Sequence, residues 1–343
     1  MSTRMVGTTD APFLKGAPVL PVLLPLASAA ALVGSLTVGG FEITLAQCFS
    51  AFLDPASAGT AGRILWDVRM PRVLEAFLAG GSLAAAGAAL QGVFRNPLVD
   101  PHIIGVTSGA AFGGALAILL GASIPFMMMG AFGFGMLALG IVCAAAFLCG
   151  SAERLAVVLA GILTAGVFSA LVSLLQYAAD AEETLPTIVF WLMGSFATSG
   201  WTKLAALATA ALPALAVLML LRWRINLLTL DDRNARALGV PVKALRGAVL
   251  ALCAVLTAAQ VSGSGSIGWI GLVVPHLARM VVGTDHARLL PAAFWLGGIM
   301  MLLVDDLART LTRAEIPLGI LTALIGAPVF AVLLLRSRRR LAG

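Results

Sequence analysis

Along the chain, long uncharged apolar runs alternate with short stretches that hold nearly all of the charge. Runs of about 20 apolar residues are long enough to cross a bilayer as helices. An uncharged run from Gly16 to Phe41 predicts a first span, and Val73–Phe94, with Glu75 near its end, a second. Ile103–Ala152 carries no charge at all. It is too long for one helix and suits two, broken near Gly121–Pro125, where glycine and proline punctuate. Leu155–Ala179 and Leu204–Leu221 each predict one helix. Gly247–Ala278 predicts two short spans around the irregular sequence SGSGSIGW, and Leu289–Leu307 and Ile316–Leu335 predict the last two. The pattern is that of an all-α integral membrane protein with about ten transmembrane helices.

Thr184–Thr202, with Trp191 and Trp201, is the ambiguous segment. The distribution of lysine and arginine decides it, because positive loops remain cytoplasmic. If the segment does not cross and the N-terminus is cytoplasmic, sixteen of the 22 basic residues lie inside; if it crosses, seven do. A short extracytoplasmic helix after the fifth span is therefore expected, with both termini cytoplasmic. Residues 1–17 are then a cytoplasmic tail, 18–335 the ten-helix transmembrane unit and 336–343 a basic cytoplasmic tail. Ala27-Ser28-Ala29 resembles a signal-peptidase site, but the apolar run continues to Val38, so the first span is expected to be retained.

Composition supports this class. The 343 residues are 60% hydrophobic and 11% charged, with a mean hydropathy of +1.02, too little charge to coat soluble domains. The net charge of +6 sits in loops between apolar runs, where it sets topology and does not suggest nucleic-acid binding. Cys48, Cys143, Cys149 and Cys253 lack CxxC spacing and read as small apolar residues. His102, His276 and His286 form no metal-ligand pattern. GxSxG, paired carboxylates within a span and GxxxxGK[ST] are all missing from the sequence. No cofactor is expected on this chain, and it is not expected to hydrolyse nucleotide. The central spans also lack the ionisable groups that ion-coupled carriers keep at mid-membrane depth. Asp305-Asp306 near the end of the ninth span has Arg309 as a partner one turn on. An ion-coupled carrier or a channel remains the alternative class to transport driven by a partner.

Small residues recur at four-residue spacing at Gly105, Gly109 and Gly113 and at Gly80, Ala84 and Ala88. They predict close helix seams, or surfaces that slide during transport. The loop 222–246 predicts two short cytoplasmic helices between the sixth and seventh spans. Thr229, Asp231 or Asp232 suits the cap of the first, Gly239 its C-terminal turn, and Pro241 the start of the second. Such helices would expose arginines together with Leu238, Val240 and Leu245, either to a cytoplasmic partner or to lipid headgroups.

The run Arg69-Met-Pro-Arg72, then Gln91-Gly-Val-Phe-Arg-Asn96-Pro97-Leu-Val-Asp100-Pro101-His-Ile-Ile-Gly105-Val-Thr-Ser108-Gly109, resembles the FecCD-type permeases of ATP-driven importers for iron chelates, haem and vitamin B12. So do Ala235-Arg-Ala-Leu-Gly239, Gly268-Trp-Ile-Gly-Leu-Val-Val-Pro275-His276, Glu315-Ile-Pro317-Leu-Gly319 and Gly326-Ala-Pro328. The resemblance covers about residues 60–335 and implies a bacterial inner-membrane homodimer. It implies as partners two cytoplasmic P-loop ATPase subunits, which use ATP-Mg, and an extracytoplasmic binding protein.

Residue by residue, the resemblance implies ATPase coupling through Asp231, Arg233, Arg236, Ala237, Leu238, Gly239 and Val240. It implies docking of the binding protein on Arg69, Arg72, Arg309 and Arg313; lipid phosphates or Asp67, Asp305 and Asp306 are the competing partners for these arginines. A gate is implied at Gly150-Ser151-Ala152. Ser169, Ser173 and Gln176 share one face of the fifth helix, where they either line the route or hydrogen-bond neighbouring helices. Cargo is expected to be a ferric siderophore, haem or a cobalamin. Related permeases carry small oxyanions such as molybdate, against which the shortage of intramembrane positive charge argues.

Overall fold

The computed structural model describes residues 20–54, 59–148 and 154–341, and these are helical throughout apart from turns and connections. In chain order, α1 (Leu20–Thr37) and α2 (Leu45–Leu53) precede α3 (Gly59–Arg63), which runs through a π-helical turn, Ile64–Arg69, into α4 (Met70–Phe94). A 3₁₀ turn (Pro101–Ile104) leads to α5 (Val106–Leu119), α6 (Ile124–Leu148), α7 (Arg154–Ala178), α8 (Thr184–Leu192) and α9 (Trp201–Leu228). Then come α10 (Asp232–Ala237), α11 (Val242–Ser264), α12 (Ile270–Val282), α13 (His286–Ala308) and α14 (Leu318–Leu341).

The helix continuous over Gly59–Phe94 and α6, α7, α9, α11 and α13 are long and apolar enough to cross a membrane; α1, α5, α12 and α14 contribute shorter apolar stretches. Each apolar run of the sequence thus holds a helix. The connections fall where glycine and proline placed them, between Leu119 and Ile124 and between Ser264 and Ile270.

At the centre stands α4, buried along almost its whole length and packed against α13, α9, α11 and α12. Its alanines and glycines make this approach feasible, because helices in lipid associate through close backbone contact. A Cβ at Gly80 would overlap the Gly297 carbonyl on α13, and a Cβ at Gly297 would overlap that of Gly80. Gly113 and Gly130 bring α5 and α6 together in the same way. The small-residue spacings are therefore packing seams.

One expectation is corrected. Only one short helix, α10, lies between α9 and α11. Helix α9 extends through residues 222–228, and Pro241, as the cap of α11, opens a helix that meets no break before Ser264. The rest of the ambiguous segment is irregular up to the start of α9, and the short helix expected after the fifth span is present as α8, Thr184–Leu192. The irregular stretch after it is pinned by backbone hydrogen bonds: Ser195 N–H donates to Ser264 (2.9 Å), and Leu318 and Gly319 N–H donate to Gly194 and Met193 (both 2.9 Å). Trp191 lies against Gly114 of α5, while Trp201 begins α9. The sequence patterning also passed over α2, although Thr44 and Gln47 form a reciprocal capping box at its start.

Candidate functional site

Helix α10 is built as a short, well-terminated projection. The Asp231 side chain accepts from the Arg233 N–H at its start. At its end Gly239 adopts φ +76°, a left-handed conformation that suits glycine. The Gly239 N–H donates to Arg236 (2.9 Å) and the Val240 N–H to Ala235 (3.1 Å), the paired bonds that close a helix. Ala235 is buried and anchors the helix, while Arg233, Arg236, Ala237, Leu238 and Gly239 are exposed and Val240 is half-buried. Leu238 is 63% exposed, a large apolar side chain offered outward. The coupling residues expected from the sequence therefore form one projecting surface.

Behind that surface lies a cluster the sequence analysis missed. Asp232 Oδ1 accepts from Arg154 Nη2 (2.6 Å) and Arg95 Nη2 (3.0 Å), and Oδ2 accepts from Arg246 Nη2 (2.9 Å). Arg95 also donates to the Leu228 carbonyl (3.0 Å), and Arg154 to the Val93 carbonyl (2.8 Å). One carboxylate thus gathers the ends of α4, α7, α9 and α11 around α10. Partial burial pushes the Asp232 carboxyl up, but hydrogen bonds from Arg246 and Arg95 and the charges of Arg246 and Arg154 outweigh it and hold it at about 2. The adjacent pair Asp231-Asp232 was the available signal; both were offered with Thr229 as caps, and Asp231 proves to be the cap while Asp232 turns to the arginines.

At the far end of α4 stands a second arginine cluster. Arg72 donates through Nε and Nη2 to Asp305 (2.8–3.2 Å) and through Nη1 and Nη2 to Glu315 (2.7 and 2.8 Å). Arg309 pairs with Asp306 and lies 3.6 Å from Asp305. It also donates to the Ser35 and Val38 carbonyls (2.9 and 2.8 Å). Arg69 donates to the carbonyls of Leu36 (2.7 Å) and Phe41. These two arginines cap the C-terminal carbonyls of α1, which otherwise lack partners.

The expectation of four outward-facing arginines is therefore corrected in its geometry. Arg69 and Arg72 are buried, and Arg309, its side chain 7% exposed, is engaged internally. Arg313 alone of the four is exposed. The physical reason is the proximity of Asp305, Asp306, Glu315 and the open end of α1; the carboxylates at 305 and 306 were the competing partners the sequence offered.

On α7, Ser169 and Ser173 are exposed and Gln176 is half-buried. The Ser173 hydroxyl donates to the Ser169 carbonyl (3.1 Å), within its own helix. Around them Ile162, Leu163, Val167, Leu174 and Tyr177 are also exposed, so this face of α7 is not covered by the chain itself. The expected gate, Gly150-Ser151-Ala152, lies outside the described residues.

Other sequence blocks hold turns and helix contacts elsewhere in the bundle. Asn96 accepts from the Leu98 N–H (2.9 Å), Asp100 accepts from the His102 N–H (2.8 Å), and the His102 ring meets the Ile267 carbonyl (3.2 Å). Gln91 accepts from Arg279 and donates to the Val99 carbonyl (3.1 Å). Gly326 lets α14 lie against the Trp269 side chain. Lys203, buried near the start of α9, donates to Thr198 (2.6 Å). Among the described residues no group of His, Cys, Asp and Glu is arranged to hold a metal ion.

The profile of the FecCD transport family matches residues 26–336. The chain is 48% identical to the molybdate import system permease protein MolB of Haemophilus influenzae, over 89% of this chain and 92% of that one. It is 38% identical to the hemin transport system permease protein HmuU of Yersinia pestis, over 91% and 93%. A solved structure of a metal-chelate type ABC transporter in an inward-facing conformation matches with a TM-score of 0.86 and 48% identity, over 93% of this chain and 100% of that one. Helices, motifs and relatives agree: the chain belongs to the FecCD transport family, as a multi-pass membrane permease subunit of an ABC importer whose ATP is hydrolysed by a separate subunit.

Proposed function

We propose that this permease imports a small oxyanion of the molybdate class, working as a homodimer with two cytoplasmic ATPase subunits and an extracytoplasmic binding protein. The cargo assignment is carried by one observation, the 48% identity to a molybdate permease over nearly the full length of both chains, against 38% to a haemin permease. It replaces the preference for an iron chelate drawn from the shortage of intramembrane positive charge. A weakly polar route is no obstacle to an anion that a binding protein has already selected, because tight binding along the way would slow its release. A bulky iron chelate is the second reading, favoured by the solved metal-chelate type transporter at the same 48% identity.

In this scheme the end of the bundle bearing α10 is cytoplasmic, as are both termini. The exposed face of α10 receives the ATPase, and the uncovered face of α7 with Ser169, Ser173 and Gln176 meets the second copy along the route. Gly150, Ser151 and Ala152 gate that route at its inner end. The binding protein docks on the opposite rim, where Arg313 is free to meet its carboxylates and Arg69, Arg72 and Arg309 keep the rim in shape. The chain itself binds no cofactor; ATP-Mg belongs to the ATPase.

Deletion of the gene tests the cargo. Molybdate uptake, measured as cell-associated molybdenum at submicromolar supply, is expected to collapse, while growth on ferric siderophore, haem or cobalamin continues. The reverse outcome replaces the oxyanion with the chelate. Docking is tested by Arg236→Glu, which reverses a charge on the exposed face of α10 and is expected to strip the ATPase from the purified complex. Retention of the ATPase with normal transport would remove α10 from that role.

A further inference from the structure

We infer that Asp232 is the positioning residue that delivers movement of the docking helix to the transmembrane helices. The inference rests on the proposal that α10 receives the ATPase. An exposed helix of six residues has little rigidity of its own, so whatever presses on it moves the bundle only through its attachments. Among the side-chain attachments described for α10, Asp232 holds the only one that reaches several long helices at once. Its two oxygens take guanidinium groups from the end of α4 (Arg95), the start of α7 (Arg154) and the first turns of α11 (Arg246), at 2.6–3.0 Å. Arg95 and Arg154 are in turn fastened to the Leu228 and Val93 carbonyls, so the ends of α9 and α4 join the same knot.

Charge makes the knot depend on this one side chain. Three guanidinium groups converge on it, and the next carboxylate, Asp231, stands 3.9 Å from Arg95 and is 63% exposed. Without the Asp232 charge the three cations repel one another, and α10 loses its tie to the start of α7. The outward face of α10 is untouched by that loss. Grip on the ATPase and delivery of its stroke are thereby separated onto different side chains: Arg236 and Leu238 outward, Asp232 inward.

The test uses the whole transporter, with its ATPase and binding protein, in proteoliposomes. Uptake of molybdate and of a ferric hydroxamate is measured beside ATP hydrolysis. Asp232→Asn is expected to keep its ATPase through purification and to hydrolyse ATP, yet to import about tenfold less cargo per ATP, a loss within the usual range of coupling between sites. Asp232→Glu is expected to restore most of the ratio. Cargo per ATP equal to wild type in Asp232→Asn overturns the inference. Should that variant not accumulate in the membrane, Arg154→Gln, which leaves Asp232 with two arginines, is expected to show the same loss, and a normal ratio there overturns the inference equally. If both fail to accumulate while Asp232→Glu behaves as wild type, the knot is a folding staple only and the inference falls. Arg236→Glu keeps the two proposals apart: a complex that retains its ATPase despite that change defeats the docking assignment, whatever Asp232 does.

Discussion

The two ends of α4 each carry an arginine cluster, about 35 Å apart by helix rise, and the clusters are built on opposite principles. At the Arg72 end two arginines, Arg72 and Arg309, face three carboxylates, Asp305, Asp306 and Glu315, and the central Asp305 is 0% exposed. At the Arg95 end three arginines share Asp232, which is 29% exposed. The first network supplies carboxylates enough for its arginines and is sealed at its centre, so removing Asp305 strands the buried Arg72 in the interior. The second sets three cations on one partly exposed carboxylate, so Arg95, Arg154 and Asp232 can reach water at modest cost while Arg246 stays buried. A fixed end and a more adjustable one are what this contrast teaches, and the proposed docking of an ATPase on α10 would draw on that asymmetry.

The largest effect should come from breaking the sealed network on one side. Asp305→Ala leaves Arg72 buried with only Glu315, a loss of about 3–5 kcal/mol for an interrupted buried pair. It should appear as a clear fall in the unfolding midpoint of the detergent-purified protein. The corresponding change at Asp232 should lower stability by about 1 kcal/mol, as partly solvated pairs do. Equal falls at the two sites would erase the distinction.

Removing both sides of the sealed pair sharpens it. Arg72→Met with Asp305→Leu replaces buried charge by apolar volume, a change that is often neutral or stabilising. Glu315, 33% exposed at its side chain, can then turn to water. The double variant should recover most of the midpoint lost by Asp305→Ala. A double variant as unstable as the single one would mean that Arg72 serves packing more than charge.

The same contrast explains what was legible in the sequence. Apolar runs and their punctuation placed the long helices, because crossing a membrane demands an uninterrupted apolar stretch whatever its neighbours do. Asp231 and Gly239 were readable as the ends of α10 because capping is local. The two arginine clusters were not readable in this way. Arg72 meets Asp305 and Arg95 meets Asp232 across more than a hundred residues, and nothing local to RMPR says that its arginines turn inward. The motif resemblance pointed to the right places, but the direction of a side chain depends on which carboxylates the fold brings within reach. The second short helix of the 222–246 loop failed for a related reason: Pro241 announces a helix start and says nothing of its length.

Salt should separate the clusters more gently. Raising ionic strength from about 0.1 M to about 1 M shortens the screening length from about 10 Å to about 3 Å. Amide hydrogen exchange over residues 232–237 should quicken as the knot around Asp232 loosens. Exchange at the start of α4 and the end of α13 should hold, because water and ions do not reach Asp305. Faster exchange at both ends, or at neither, would show that solvent access does not distinguish them.

Acid gives the smallest and most specific signal. Asp232 is held at about 2, below its ordinary 3.8, so the knot favours the ionised carboxylate. Its contribution is fully present above about pH 4 and is lost as the pH falls through about 2. The groups facing it, Arg95, Arg154 and Arg246, stay charged throughout this range, and Asp231 stands at its edge. Exchange over 232–237, normalised to Asp232→Asn to remove the intrinsic pH dependence, should stay flat from neutrality to about pH 4 and rise only below it. A rise between pH 7 and 5 would assign the tie to some other titrating group and deprive Asp232 of its place at the joint.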